Sequence, residues 1–138
     1  RYLGIAMQAE HDDPLKRAAA PILAVLDGER LSIPTRANDG VGYAGDITAA
    51  NNGSFVLSSN QAGLAQLWQA GTPDKLMPVV ELQEAYALTQ WTGPKPGGGV
   101  LISTAPGLVR WHPAAKPLFL AWPKPMALDN HWVLLNEA

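Results

Sequence analysis

The chain contains no cysteine, which excludes disulfides, thiolate metal sites and cysteine nucleophiles. That absence leaves the redox compartment open and is compatible with export. Charge is scarce as well. Only 16% of residues are Asp, Glu, Lys or Arg, and the formal net charge is −2. Nothing in that balance favours a nucleic acid or an anionic membrane surface as partner. No apolar run has the length of a transmembrane helix, so no membrane insertion is expected, and no signal-peptide pattern is present. Familiar catalytic signatures are missing too. Pro94-Lys95-Pro96-Gly97-Gly98-Gly99 lacks the strand before, the helix after and the terminal Lys-Ser/Thr of a phosphate-binding loop. There is no Gly-x-Ser-x-Gly elbow, and Ser58 and Ser59 fall inside an apolar strand pattern.

What is present is turn chemistry and apolar segments. The 138 residues are 47% apolar and include 13 Gly and 12 Pro, a mixture that suits many short strands joined by turns. Asn51-Asn52-Gly53 is followed by Phe55–Ser59, then Asn60-Gln61-Ala62-Gly63, then Leu64–Trp68. This reads as a hairpin, since Asn and Gly tolerate the positive φ of tight turns. A second version runs from Gly97-Gly98-Gly99 through Val100–Thr104 to Leu108–Trp111, and a looser third opens the chain with Tyr2–Gln8 and Ile22–Asp27. Leu26, Trp68 and Trp111 end corresponding segments and lie 42 and 43 residues apart. Several short strands at such a period are the pattern of a β-propeller blade.

With strands lettered A to D from the inside outward, one blade has A at Asp46–Ala49, B at Phe55–Ser59, C at Leu64–Trp68 and D at Met77–Leu82. The next has A at Tyr86–Trp91, B at Val100–Thr104, C at Leu108–Trp111 and D at Pro117–Trp122. The first blade has no A strand: Tyr2–Gln8 is B, Ile22–Asp27 is C and Leu31–Thr35 is D. His131–Leu135 reads as a lone further strand, and Ala9–Ala20 as an insertion with one helical turn, Asp13 capping Pro14. The expected fold is therefore all-β: a partial β-propeller of about three blades of four-stranded antiparallel sheets. Blade boundaries fall near residues 36–45, 84–86 and 124–130. The chain reads as the carboxyl-terminal portion of a single propeller domain, cut from a ring. Its open sheet edges would be met by the remainder of the propeller or by a second chain. A helical alternative exists at Ala62–Ala70 and Val79–Leu88, where good helix formers cluster.

Four segments, Leu3–Gln8, Gly42–Ile47, Gly63–Trp68 and Leu128–Trp132, resemble in order and spacing the carboxyl-terminal part of a bacterial exported propeller family of unknown function. Members of that family carry a twin-arginine signal and have genes beside imelysin-like, iron-linked periplasmic proteins. The resemblance implies a seven-bladed ring, a periplasmic location and a loose association with iron uptake; a periplasmic protein is the partner that a docking module in that setting would take. It implies no established reaction.

In a propeller the B–C and D–A loops share one face around the mouth of the central channel, a usual place for ligands. The loops predicted on that face carry Gln8, Glu10, His11, Asp12, Asp13, Asn60 and Gln61, then Asn38, Asp39, Tyr43, Asp46, Glu84, Tyr86, Asp129, Asn130 and His131. From these, His131, Asn130, Asp129, Asp46, Tyr43, Gln8 and Asn60 form the candidate ligand-binding face, and no residue is assigned as catalytic. Asp129-Asn130-His131 reads either as a ligand-handling set or as a turn fixed by its Asp and Asn. Asp46 reads either as a ligand contact or as a blade cap. Glu10-His11-Asp12-Asp13 combines an imidazole with carboxylates, so His11, Asp12 and Asp13, with His131, are the metal candidates. The competing reading of that loop is a solvated acidic turn. No cofactor is assigned. His112 reads as a surface turn residue, and Trp68, Trp111 and Trp122 as packing between blades. Two functions follow: a binding module for a ligand or a protein, and a metal- or redox-dependent enzyme using His131 with Asp46 or Asp129.

Overall fold

The computed structural model describes residues 1–82, 84–124, 128, 131–132 and 135. Over the described residues the fold is all-β, with three antiparallel sheets of three, four and four strands and one short α-helix. Strands β1 (Tyr2–Ala6), β2 (Leu23–Asp27) and β3 (Arg30–Ser32) form the first sheet. Strands β4 (Asp46–Ala49), β5 (Phe55–Ser59), β6 (Leu64–Trp68) and β7 (Met77–Glu81) form the second. Strands β8 (Ala85–Gln90), β9 (Val100–Thr104), β10 (Gly107–His112) and β11 (Ala115–Ala121) form the third. Each sheet is a meander in chain order, and none closes on itself.

Local chemistry explains the breaks. Asn52 takes a positive φ of 55° in the turn that separates β4 from β5. A single turn of 3-10 helix, Asn60–Ala62, ends at a left-handed Gly63 and launches β6. The helix α1 (Pro14–Ala19) starts where Asp13 Oδ1 accepts the Leu15 N–H at 2.9 Å, with Pro in the first turn. The helical alternative at 62–70 and 79–88 is not adopted over the described residues: β6, β7 and most of β8 occupy it. The reason is burial on both faces of the middle sheet. Ala65, Gln66, Leu67 and Trp68 are all buried, as are Ala85, Ala87 and Leu88 in the third sheet, so these segments bury consecutive residues on both strand faces where a surface helix would bury one stripe. Of the expected lone strand at 131–135, His131, Trp132 and Leu135 lie outside any strand, and Val133 and Leu134 fall outside the described residues.

The middle sheet carries both halves of the core. One face brings Ile47, Phe55, Leu57 and Trp68 against Leu23 and Val25 of the first sheet. The Trp68 ring stacks on Phe55 at 5.5 Å between centroids and meets Tyr2 edge-on at 5.3 Å. Gly4 leaves room for Ile47 and Phe55, since a Cβ there would lie 2.9 Å from both Ile47 Cδ1 and Phe55 Cγ. The other face brings Val56, Ala65 and Leu67 against Leu88, Ile102, Val109 and Trp111 of the third sheet. The expected packing of Trp68 and Trp111 between sheets holds. Trp122 donates Nε1–H to Thr104 O at 3.1 Å, while Trp91 lies beneath the Arg110 guanidinium within its own sheet.

His112 needs correction. It is 6% exposed rather than a surface turn residue. Its Nδ1 accepts the Ala114 N–H at 3.0 Å, and its Nε2 lies 3.1 Å from Gly97 O. That pattern fits the Nε2–H tautomer, a neutral ring that fastens the Gly-rich loop over the end of β10.

Candidate functional site

Three sheets contribute residues to one polar site. The first sheet leads into it through Gln8, just past β1, which pairs with Tyr43 across an isolated antiparallel bridge. The segment entering β4 is held there by Asp39, whose carboxylate accepts the N–H groups of Val41 (2.9 Å), Gly42 (2.6 Å) and Tyr43 (3.4 Å). Gly42 has φ +75°, and a Cβ at that position would strike the Arg17 carbonyl oxygen. The Ala9 N–H to Gly42 O bond (2.8 Å) and the Ala44 N–H to Met7 O bond (3.2 Å) complete the junction. Gln8 Nε2 then donates to Ala44 O at 3.0 Å.

Around this junction Gln8, Tyr43, Gly45, Asn60, Tyr86 and His131 line a cavity of about 40 Å³. That is room for about one water molecule, whose share of liquid volume is ~30 Å³. Asn60 Oδ1 is buried there and has no hydrogen-bond partner among the described residues. A neighbouring open cleft of about 420 Å³ is bordered by Gln8, Gly45, Asp46 and His131, among others. Gln8, Gly45 and His131 thus belong to both spaces.

Asp46 sits at the hinge between site and core. Its Oδ2 accepts the Leu88 N–H of β8 at 2.8 Å, and its Oδ1 accepts the Ile47 N–H at 2.9 Å. The same Oδ1 lies 3.3 Å from His131 Nδ1. The Asp46 side chain is 15% exposed and that of His131 is 69% exposed, so the imidazole lies over the site from the solvent side. The capping reading of Asp46 has a contact behind it, since the carboxylate ties two sheets together, and the same carboxylate orients a histidine. Nearby, Ser58 Oγ donates to Tyr86 O at 2.6 Å, a second tie between the middle and third sheets.

Tyr86 OH donates to Glu84 Oε2 at 2.6 Å. That hydrogen bond, then desolvation and the Glu84 charge, raise the Tyr86 phenol above its ordinary value of 10.0. It is a neutral donor at neutral pH.

Of the seven residues of the candidate face, five come together here: Gln8, Tyr43, Asp46, Asn60 and His131. Asp129 and Asn130 lie outside the described residues. The acidic loop behaves differently. His11 Nδ1 accepts the Asp13 N–H at 3.0 Å, and Asp13 caps α1. Glu10, His11 and Asp12 border an open hollow with Arg17, Tyr43 and Gln61 rather than converging. Among the described residues no three His, Cys, Asp or Glu side chains come together in a metal-binding group. Nor is any helix among them long and apolar enough to cross a membrane. What sequence reading missed is the Asp46–Leu88 bond, which spans 42 residues and has no local signature. Comparison with protein-family models, with curated proteins and with solved structures found no match to this chain.

Proposed function

We propose that the three sheets are successive blades of a β-propeller and that its loop face is a binding module for a small polar ligand or a protein loop. The observation that carries this reading is convergence. Gln8, Tyr43, Asn60, Tyr86 and His131 come from segments of all three sheets, far apart in sequence, and meet at one cavity. Amide, phenol, imidazole and carboxylate groups on a rigid β frame can recognise hydrogen-bonding ligands without any reacting group. The unpartnered Asn60 Oδ1 is the acceptor such a ligand, or a bridging water, would satisfy. The resemblance to exported bacterial propellers supports a periplasmic setting, a seven-bladed parent ring and a link to iron uptake.

A nuclear magnetic resonance titration tests the binding reading. A panel of amino acids, sugars, tricarboxylates and ferric citrate would be added to the labelled chain. Shifts are expected at the Gln8 and Asn60 side-chain amides and should be lost in Asn60→Ala. Shifts confined to other surfaces, or untouched by Asn60→Ala, would overturn it.

One observation favours a second reading, an enzyme that uses metal or redox chemistry. Asp46 holds His131 by one ring nitrogen and leaves the other for a ligand, the arrangement common in metal-bound histidines. Metal analysis of the purified chain and of His131→Ala decides it. Stoichiometric metal lost in the variant supports the enzyme, and metal absent from both removes it.

A further inference from the structure

Away from the polar site, two loops are fastened side by side between the first sheet and the middle one. Arg36, just past β3, pairs with Lys75, just before β7, across an isolated parallel bridge. The Arg36 N–H donates to Asp74 O at 2.9 Å, and the Leu76 N–H donates to Arg36 O at 3.4 Å. The flanking residues Ala37 and Leu76 are buried in the core. The Trp68 indole N–H donates to Pro73 O at 3.0 Å, and Thr35 Oγ1 donates to Asp74 O at 3.3 Å. These bonds hold the two backbones in one register.

Residues paired across a bridge send their side chains to the same side, with the two backbones about 4.8 Å apart. The bridge thus sets two cations next to each other, and like charges so placed repel. Both residues are exposed, and among the described residues neither meets a carboxylate at ion-pair distance. Thr35, Arg36, Thr72, Asp74 and Lys75 border one open cleft of about 470 Å³. Two cations there stand against a single carboxylate. Thr72 Oγ1 is buried and has no hydrogen-bond partner among the described residues, so turning it toward a ligand breaks no bond.

We propose that this cleft binds an oxyanion of the phosphate class, either free phosphate or a phosphate group on a larger molecule. A doubly charged tetrahedral anion touches guanidinium and ammonium at once and cancels their repulsion. Arg36 offers it two parallel N–H donors, Lys75 a point charge and Thr72 a hydroxyl donor. The backbone bridge fixes both stems before the ligand arrives, so only the side-chain ends pay an ordering cost. The cleft shares no residue with the cavity around Gln8 and Asn60, and the proposal holds whether or not that face binds a ligand.

Amide nuclear magnetic resonance of the whole chain tests it. Inorganic phosphate and the phosphomonoester phenyl phosphate are titrated separately, each against sodium chloride at matched ionic strength. The Thr35, Arg36, Thr72 and Lys75 amides should shift and saturate with phosphate and not with chloride. Arg36→Gln and Lys75→Gln should each weaken binding at least ~tenfold, the loss expected for one charge-assisted bond. Saturable shifts with either probe support the site, and the tighter of the two identifies the source of the phosphate group. Shifts that never saturate, or that chloride reproduces, overturn the proposal. So does binding that either substitution leaves undiminished. Both substituted side chains are exposed, and the same spectra check that each variant folds.

Discussion

On its backward side the middle sheet meets the first through aromatic bulk: Trp68 against Phe55 and Tyr2, with Phe55 seated over Gly4. On its forward side it meets the third sheet through mostly aliphatic contacts, with Trp111 the one large ring, and two polar bonds, Asp46 to the Leu88 amide and Ser58 to the Tyr86 carbonyl. The first interface has directed bonds only at its rims, where Met7, Gln8 and Ala9 meet Gly42, Tyr43 and Ala44 and where the Arg36 loop meets the Lys75 loop, and elsewhere depends on shape, because dispersion and burial reward close fit without fixing a register. The second adds direction, since a carboxylate accepting a backbone N–H allows one relative position of two strands. The polar site lies where the directed interface ends. Asp46 serves both, so the precision of the site is inherited from the way the sheets are joined.

The largest expected effect breaks the aromatic side. Trp68→Ala removes the ring shared by Phe55 and Tyr2 and should cost about 3–5 kcal/mol in denaturant unfolding. Next, Gly4→Ala drives a methyl into Ile47 and Phe55 and should cost about 1–3 kcal/mol by the same measurement. On the directed side, Asp46→Ala leaves the Leu88 N–H unpaired and should cost about 1–3 kcal/mol. It should also displace the His131 ring signals, which Trp68→Ala should leave in place if the fold survives. The smallest effect concerns Tyr86. Its raised pKa means that the bond to Glu84 stabilises the fold at pH values below the ordinary phenol value, and that this contribution is lost as pH rises through the higher folded value. Ultraviolet titration should find Tyr86 ionising above about 10, and Glu84→Ala should return it toward that value.

Much of this was legible in the chain. The expected spans Phe55–Ser59, Leu64–Trp68 and Val100–Thr104 match β5, β6 and β9, because each is an apolar run closed by residues suited to left-handed turns. Asp13 and Pro14 announced α1 for the same local reason. Five residues of the candidate face meet at one place because strand order alone puts those loops at one end of the sheets. His112 was misread because its neighbour Pro113 signals a turn, while its burial depends on the Gly97 loop folding over it. The Asp46–Leu88 contact was hidden because it joins segments that only packing brings together, whereas His131 could be set beside Asp46 or Asp129 from their predicted places on one loop face. The acidic loop looked like a metal site from composition, but Asp13 is committed to the helix start and His11 to its own turn.

The claim that Asp46 fastens the site to the sheet stack rests on one amide. Native-state hydrogen exchange at Leu88 reads it directly. Leu88 should be protected in the wild-type chain and lose that protection in Asp46→Ala, while neighbouring strands β5 and β9 keep theirs. Leu88 exchange that is unchanged by Asp46→Ala would contradict the account.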